Sequence, residues 1–177
     1  MMPRSLFAGC ASAITLAVAC AAHAQTVDAA SAKLSSVDQQ FVQDAGTAGA
    51  TEIAASKLAL THASGKQVKD FAQRMIADHT KLAHSLDGIA KHHGMSEPPS
   101  ADSSVIGSLQ NLQGDAFDDA YIQKVAVDGH RKAMELFKQE SEQGNDAALK
   151  AVAAKALPVI GHHYAMAQQL AKAKAAS

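Results

Sequence analysis

Apolar residues recur every three to four positions along most of this chain, the spacing that places them on one face of an α-helix. No stretch of the sequence shows the sustained apolar–polar alternation or the clustered β-branched residues of a strand. The pattern predicts four helices, at about residues 37–63, 65–93, 115–143 and 146–174. The predicted fold class is therefore all-α.

Local start and stop signals refine these boundaries. Ser64 and Gln67 have the spacing of a capping box, which predicts the start of the second helix, and Gly94 predicts its end. Asn145 is the predicted N-cap of the fourth helix. Pro158 lacks an amide hydrogen and crowds the preceding turn, so we expect it to kink that helix.

The segment between the second and third helices, residues 94–114, contains Pro98, Pro99 and Gly107 and predicts a linker with one short apolar turn near 105–112. A helix of about 27 residues is ~40 Å long, and a linker of about 21 residues can reach up to ~70 Å. The linker can therefore cross the full length of a bundle. This length favours a ferritin-like four-helix bundle with a long crossover between helices two and three over an up-down-up-down bundle.

Residues 1–24 have the features of a secretory signal peptide. Arg4 supplies a positive charge, residues 6–22 form an apolar run, and the Ala-His-Ala sequence that ends at Ala24 is a cleavage site. Export of this kind predicts a periplasmic protein.

Both cysteines of the chain, Cys10 and Cys20, lie in this segment, so the mature chain has no disulfide and no thiolate ligand. Cys20 allows an alternative, a lipoprotein anchored at that residue, but the residues before it fit a lipobox poorly. After the signal peptide we predict a flexible segment (25–36), a single helical domain (37–174) and a short tail (175–177).

The composition narrows the classes of function. Hydrophobic residues make up 47% of the 177 residues, which excludes a disordered chain. A formal net charge of −1, the lack of a basic run and an aromatic content of 4% argue against nucleic acid as the partner. The sequence has no window of about 20 apolar residues, so it predicts no membrane-spanning helix. The motifs of nucleophilic catalysis and of phosphate binding are absent from the sequence, which favours a protein that is not an enzyme.

One polar residue interrupts the apolar face of each predicted helix: Glu52, His79, His130 and His163. In the ferritin-like arrangement they lie within about four residues of one level, or ~6 Å along the bundle axis. One carboxylate and three imidazoles form a complete set of ligands for one divalent transition metal. Imidazole suits zinc, copper and iron, so the sequence predicts a site for one ion of Zn, Cu or Fe.

A hydrogen-bonded polar layer without metal is the alternative interpretation of the same four residues. A buried glutamate needs a partner or a proton, and three histidines can supply a partner. The protein would then be a structural or interaction protein of the cell envelope, with an envelope protein as its partner. Both interpretations stay open from the sequence.

A di-iron centre of the ferritin type is disfavoured. Such centres need a glutamate three residues before each of two histidines. The residues at that spacing here are Ile76, Val127 and Ile160.

Methionines also lie close in sequence to the three histidines. Met75, Met134 and Met166 are three or four residues from them and are candidates for the surroundings of the site. Thioethers beside imidazoles would suit copper, above all Cu(I). Methionine on a helical stripe more often fills the core, which is the competing interpretation.

Three further polar residues have separate predicted roles. Asp78 is rotated by about 100° from His79 on the same helix, so it faces an adjacent helix, where it can accept a hydrogen bond from a metal-ligating histidine. Tyr121 lies nine residues, or ~13 Å, from His130 and is too far away to share its site. We assign Tyr121 a hydrogen bond that anchors the crossover, and Asp118 a structural polar role.

With these residues placed, the chain resembles the domain-of-unknown-function 4142 family over about residues 37–171. The resembling stretches are Phe41, Ala45-Gly46, Gly49-Ala50-Thr51-Glu52, Phe71 to His79, Phe117-Asp118, Tyr121, His130, Leu157-Pro158 and His163 to Ala167. The family consists of exported bacterial proteins, often labelled outer membrane proteins, and is similar to ferritin-like four-helix bundles. The resemblance puts the four site residues on recurrent polar positions. It implies a fold and a compartment but no reaction.

Overall fold

The structure is a computed structural model that describes residues 33–176 of the chain. All regular structure within these residues is helical, which confirms the predicted all-α class. The elements are α1 (Ser36–His62), α2 (Lys66–His92), α3 (Ser103–Leu109), α4 (Gly114–Tyr121), a π-helical segment (Ile122–Val127), α5 (Asp128–Gln143) and α6 (Ala147–Ala175). The segment from α4 through α5 is one continuous helical stretch.

The predicted signal peptide, the lipobox alternative at Cys20 and most of the predicted flexible segment lie outside the described residues. Of the segment 25–36, residues 33–36 are described. There Leu34 is buried, and the Ser35 side chain caps α1 by accepting a hydrogen bond from the Asp38 amide. Helix α1 therefore begins at Ser36, one residue before the predicted start.

The predicted capping box at the start of α2 is wrong. The N-cap is Gly65, which has no side chain to cap with, and its amide donates to Asp118 Oδ2 at 2.8 Å. The Ser64 hydroxyl donates to the same oxygen at 2.8 Å and to Asp115. A carboxylate accepts more strongly than a hydroxyl, so an acid from α4, far away in sequence, takes over the role assigned to a local serine. This interaction gives Asp118 a structural role.

The start of α6 also differs from the prediction. Its N-cap is Asp146, whose side chain accepts from the amides of Ala148 and Leu149, whereas Asn145 donates its own amide to Asp38. The helix runs on through Pro158 as a single element to Ala175.

The long helices pack in a ring. Helix α1 packs on α2, α2 on α6, α6 on α5, and α5 on α1. The short loops at 63–65 and 144–146 join α1 to α2 and α5 to α6. Each long helix therefore contacts two neighbours and turns one face toward the shared interior.

The linker between α2 and α4 follows the length of α1. The ring of Pro99 lies against Gly46, the Asp102 amide donates to Thr51 Oγ1 at 2.8 Å, and His62 Nδ1 lies 2.9 Å from the Leu112 carbonyl. These contacts run from the first half of α1 to its end. The one short turn expected in the linker is α3, which begins two residues earlier than predicted.

Two apolar clusters fill the interior. The first, which we call the crossover cluster, lies near α3 and α4 and includes Phe71, Met75, Leu109, Phe117 and Tyr121. The second, the turn cluster, lies near the α5–α6 turn and includes Phe41, Leu86, Phe137, Leu149 and Ile160. On each long helix the sequence passes from one cluster to the other at a buried polar residue. None of the helices within residues 33–176 has a long enough apolar stretch to cross a membrane.

Candidate functional site

The four polar residues predicted from the sequence meet between the two clusters. Glu52 is 4% exposed, His79 4%, His130 0% and His163 1%. Each comes from a different long helix, because each occupies a position in the apolar stripe that turns inward. The interior of the bundle therefore contains one polar layer, which we call the histidine layer.

The three imidazoles form a compact triangle. The ring centroids are 5.5 Å apart for His79 and His130, 5.4 Å for His79 and His163, and 5.4 Å for His130 and His163. One nitrogen from each ring lies within 4.8 Å of one nitrogen from each of the others. Donors at this spacing can converge on one ion after small side-chain movements.

Several of these nitrogens are without a hydrogen-bond partner in the described part of the chain. They are His79 Nε2, His163 Nδ1 and both ring nitrogens of His130. Buried polar atoms in proteins nearly always have a partner, and an exception needs an explanation. A bound ion at the centre of the triangle would supply one.

Glu52 lies next to two of the three imidazoles. Its Oε2 lies 2.9 Å from His79 Nδ1, and its Oε1 lies 3.6 Å from His130 Nδ1. A carboxylate can only accept, so His79 must carry a proton on Nδ1, and Nε2 is its nitrogen without a partner among the described residues. Glu52 is thus placed to orient a histidine, whereas the group of described side chains close enough together to share one ion consists of the three histidines.

Asp78 makes the corresponding contact with another histidine. Its Oδ2 lies 3.2 Å from His163 Nε2, and its Oδ1 accepts from Lys81 Nζ at 3.2 Å. His163 must therefore carry its proton on Nε2 and keep the lone pair on Nδ1. Carboxylates that hold the second nitrogen of an imidazole in this way are the usual neighbours of metal-ligating histidines. The sequence placed Asp78 toward an adjacent helix, and this contact is on α6.

The charges within the layer are complementary. Burial raises the pKa of Glu52, but the attraction of His79 and its hydrogen bond outweigh burial, so the pKa is lowered overall. Burial lowers the pKa of His79, but Glu52 outweighs it and the pKa is raised overall. Glu52 and His79 therefore favour an ion pair when no metal is present.

The other two imidazoles favour the neutral form. The pKa of His163 is lowered to about 4, first by burial and then by the nearby His79 and His130, against the opposing effect of Asp78. Burial also lowers the pKa of His130 below its ordinary value. Neutral imidazoles have the free lone pair that coordination requires.

The π-helical segment Ile122–Val127 was not predicted and ends three residues before His130. A π-helical turn contains an extra residue and is frequently found at functional sites. The carbonyls of Val125 and Ala126 act on the His130 ring in the direction that raises its pKa, although neither ring nitrogen has a partner at hydrogen-bonding geometry. Ring contacts with Phe71, at a centroid distance of 6.3 Å, also hold His130 in place.

The remaining candidates belong to the packing around the layer. Met75 is fully buried in the crossover cluster and Met166 packs against it, while Met134 packs against the turn cluster. The Tyr121 hydroxyl lies 2.8 Å from Ser56 Oγ on α1, whereas the sequence assigned it to the crossover. Burial raises the pKa of Tyr121, which keeps its hydroxyl protonated.

The sequence did not reveal a second buried polar cluster, which we call the carboxyl pair. Asp38 is 1% exposed and Glu140 2% exposed. The signal that could have identified them is their spacing of three residues from Phe41 and Phe137, which places both acids on buried helix faces.

Two cavities adjoin the histidine layer. One, the α1–α2 cavity, has a volume of about 360 Å³ and is lined by Glu52 and His79, by mostly apolar residues and by a few charged ones, among them Asp87, Lys91 and Glu97. The other lies between α2 and α6, has a volume of about 380 Å³ and is lined by Asp78, His79 and His163. The layer therefore has a cavity beside it on each of two sides of α2.

Fold and site together define an all-helical protein with a buried cluster of three histidines and their carboxylate partners. The chain belongs to the family described as "Domain of unknown function (DUF4142)", which matches residues 23–170, so the resemblance seen in the sequence is confirmed. Among curated proteins, no sequence matches this chain.

The fold is similar to a solved structure, the "Crystal structure of DUF305 fragment from Deinococcus radiodurans". The TM-score is 0.67, and the similarity covers 79% of this chain and 99% of that chain. The sequence identity is 13%, so the similarity concerns the fold alone.

Proposed function

We propose that this protein binds one transition-metal ion in the histidine layer, with His79, His130 and His163 as the ligands. The observation that carries the proposal is the triangle of buried imidazoles, whose ring nitrogens lie within 4.8 Å of one another and include at least one unpartnered nitrogen on each ring. A layer evolved only for hydrogen bonding would leave fewer buried nitrogens unpaired.

Glu52 and Asp78 have a supporting role in this proposal. Each carboxylate engages one nitrogen of a histidine and leaves the other nitrogen for the ion. We propose Glu52 as the fourth ligand, as the sequence suggested, since its Oε1 lies 3.6 Å from His130 Nδ1. Three imidazoles with one carboxylate suit Zn, Cu or Fe, and we propose an ion from this group.

The proposal includes a ferritin-like four-helix bundle. In that topology the long crossover carries the chain back along the bundle, so the third helix runs in the same direction as the second. The third helix then packs beside the first, and the fourth packs beside the second. The packing of α5 on α1 and of α6 on α2 supports it. So does the linker, which follows α1 from its first half to its end.

A metal titration tests the function. The untagged protein is treated with EDTA, dialysed and titrated with Zn²⁺, Cu²⁺ and Fe²⁺ by calorimetry. We expect one ion to bind per chain, and the double variant His79→Ala plus His163→Ala to abolish binding. The matched control is His162→Ala, which removes an exposed imidazole next to His163 and leaves binding unchanged. Binding that survives in the double variant, or is absent from the unmodified protein, contradicts the proposal.

The second candidate function is that of a structural or interaction protein of the cell envelope. The observation in its favour is the Glu52–His79 contact of 2.9 Å, which pairs one oxygen of Glu52 with one nitrogen of His79 without metal. In that case replacing all four polar residues by apolar ones of similar size is close to neutral for stability. EDTA then has no effect on the unfolding curve of the unmodified protein.

We also propose that the protein is exported to the periplasm after cleavage behind Ala24. The support is the charged start, apolar run and small-residue cleavage site of residues 1–24. Cell fractionation with mass spectrometry of the mature N-terminus tests this. A chain that begins at Gln25 is expected, whereas a lipid-modified Cys20 would establish the lipoprotein alternative.

A further inference from the structure

The helical stretch that carries His130 is irregular directly before that residue. The segment Ile122–Val127 is π-helical, and at its end the Asp128 amide donates to the Gln123 carbonyl, five residues earlier in the chain instead of four. A turn of this kind contains one residue more than an α-helical turn. The extra residue changes the rotation around the helix axis of every position that follows it.

This rotation determines which way His130 faces. Tyr121 and His130 are nine residues apart in one continuous helical stretch. On a regular α-helix this spacing places two residues about 180° apart, on opposite faces. One extra residue in a π-helical turn reduces the angle to about 80°. The smaller angle allows both side chains to be buried, and both are 0% exposed. The π-helical segment therefore turns His130 into the histidine layer.

Gly129, next to His130, leaves room for the carboxylate of Glu52. Glycine is unfavourable inside a helix relative to alanine, so its place in α5 needs a compensating reason. A Cβ built on Gly129 lies 3.3 Å from Glu52 Oε1, which is a tight contact. Glu52 cannot easily move away, because it is buried and its Oε2 lies 2.9 Å from His79 Nδ1. The missing side chain at position 129 therefore lets the carboxylate lie directly against α5.

Oxygen acceptors lie on the Nδ1 side of the His130 ring. Glu52 Oε1 is 3.6 Å from Nδ1. Burial lowers the pKa of His130, whereas the carbonyls of Val125 and Ala126 act in the opposite direction, as acceptors that face a ring N–H do. A helical side chain leans back over the preceding turn, and Nδ1 is the ring nitrogen nearer to its Cβ, so these carbonyls lie on the Nδ1 side. Carboxylate and carbonyl oxygens only accept, which favours a proton on Nδ1 and a lone pair on Nε2.

We propose that Gly129 and the π-helical segment position His130, so that its Nδ1 faces the oxygen acceptors and Nε2 is the nitrogen that it offers to the ion. Together with His79 Nε2 and His163 Nδ1, each of the three rings then has one nitrogen with a free lone pair. The part that concerns the ion rests on the proposed function. The position of the proton on His130 is a property of the metal-free protein.

NMR spectroscopy of the metal-free protein tests the position of this proton. The protein is labelled with ¹⁵N-histidine and treated with EDTA, and long-range proton–nitrogen correlation spectra identify the protonated nitrogen of each neutral imidazole. The signals of His130 are assigned by their absence from His130→Gln. We expect the proton on Nδ1 of His130. A proton on Nε2, or an equal mixture of the two tautomers, overturns the proposal.

Two glycine variants test the role of Gly129. Gly129→Ala adds a methyl group that presses on Glu52 Oε1. The matched control is Gly161→Ala in α6, two residues before His163, where a Cβ meets nothing within 4 Å outside its own turn. Both changes replace a helical glycine by alanine and favour the helix to the same extent, so both variants are expected to fold.

We expect Gly129→Ala to shift the ¹⁵N signals of His130 and to weaken zinc binding about tenfold, because disturbing a group that orients a metal ligand has an effect of this size. Gly161→Ala is expected to change neither. Unchanged signals and affinity in Gly129→Ala, or equal changes in Gly161→Ala, overturn the role of Gly129.

The two kinds of measurement separate this proposal from the proposed function. If the unmodified protein binds no zinc, the proposed function fails. The tautomer of His130 and the effect of Gly129→Ala on its ¹⁵N signals are measured without metal, so they still decide whether Gly129 and the π-helical segment position this ring.

Discussion

Two equally buried glutamates in this bundle, Glu52 and Glu140, have opposite electrostatic surroundings. Glu52 is 4% exposed and Glu140 2% exposed. Burial raises the pKa of both, but His79 and its neighbours lower the pKa of Glu52 overall. The pKa of Glu140 is raised to about 7, by burial first and then by the Asp38 carboxylate. The charge of the nearest neighbours, and not burial alone, decides which glutamate stays ionised.

The environment of Asp38 explains why Glu140 has to hold the proton. Asp38 Oδ1 accepts from the Asn145 amide and its Oδ2 from the Ser35 hydroxyl, both at 2.8 Å. Glu140 lies beside the negative charge of Asp38, and two adjacent carboxylates repel. The carboxyl pair therefore ties the start of α1 to the α5–α6 turn, and it works best when Glu140 is neutral.

The histidine layer and the carboxyl pair accordingly differ in how their polar groups are paired. The histidine layer combines an acid with bases and leaves several nitrogens unpaired, as expected of the metal site that we propose. The carboxyl pair combines two acids with backbone and hydroxyl donors, which is the arrangement of a structural contact. Changes at the two glutamates should therefore have different consequences for stability and for metal binding.

The largest difference is expected from removing each carboxyl. Glu52→Leu leaves His79 buried without its partner and is expected to lower the free energy of unfolding at pH 7 by about 3 kcal/mol. Glu140→Leu leaves Asp38 with its two donors, and less than half of that loss is expected. Urea unfolding of both variants measures the difference, and equal losses would show that the two sites are alike.

Metal addition is expected to affect one region only. At a free zinc concentration 100 times the dissociation constant, an ion that binds only the folded state stabilises it by about 2.7 kcal/mol. We expect this gain in the unmodified protein and in Glu140→Gln, and none in His79→Ala plus His163→Ala. Thermal unfolding with zinc and with EDTA measures it. A similar gain in the double variant would assign the ion to another site.

The carboxyl pair is expected to give the protein a pH dependence of its own. The folded pKa of Glu140, about 7, lies above the ordinary value of 4.5, so the folded state holds the proton more tightly. The contribution of Glu140 to stability is thus fully present below pH 4.5 and is lost as pH rises through about 7. Glu140→Gln is expected to be more stable than the unmodified protein by about 2 kcal/mol at pH 8.

At pH 4 the two proteins are expected to have the same stability, since Glu140 is then neutral in both states. Urea unfolding across pH 4 to 8 measures the difference. A gap of constant size at every pH would mean that Glu140 does not titrate in this range.

The smallest predicted effect is that of Asp78, one of the two carboxylates that contact histidines of the layer. Asp78 is partly exposed and contacts His163, so Asp78→Asn is expected to weaken metal binding about tenfold while changing stability little. Calorimetric titration with zinc measures the affinity. The matched control is Asp87→Asn, on the same helix, whose partner Lys91 is outside the histidine layer. Equal effects of the two substitutions would remove Asp78 from the site.

The helices and the four residues of the layer were predictable because both depend on local periodicity. A residue such as His130 in an apolar stripe must turn inward wherever the helix packs, so its burial follows from spacing alone. The same rule would have found Asp38 and Glu140, had their spacing from Phe41 and Phe137 been weighed. Acids near helix ends are commonly exposed, which masked this signal.

The caps of α2 and α6 show where local rules fail. Ser64 has the right spacing for a capping box, but Asp118 from α4 accepts from both Ser64 and the Gly65 amide. A stronger acceptor that arrives through the fold replaces the local one. Asn145 likewise gives its amide to Asp38 on α1, and Asp146 caps the helix in its place.

The sequence by itself determined that this chain is helical, which residues face its interior, and that one acid and three imidazoles lie at a similar level. These properties depend on the 3.6-residue period, which each helix carries without its neighbours. Only the tertiary structure decided that Glu52 pairs with His79, that Asp78 reaches His163, and that Glu140 lies against Asp38. Such contacts join atoms on different helices, and their distances depend on how each helix is rotated and placed against the next. The π-helical segment before His130 contributes an extra residue to one of those rotations, and the spacing of apolar residues did not reveal it.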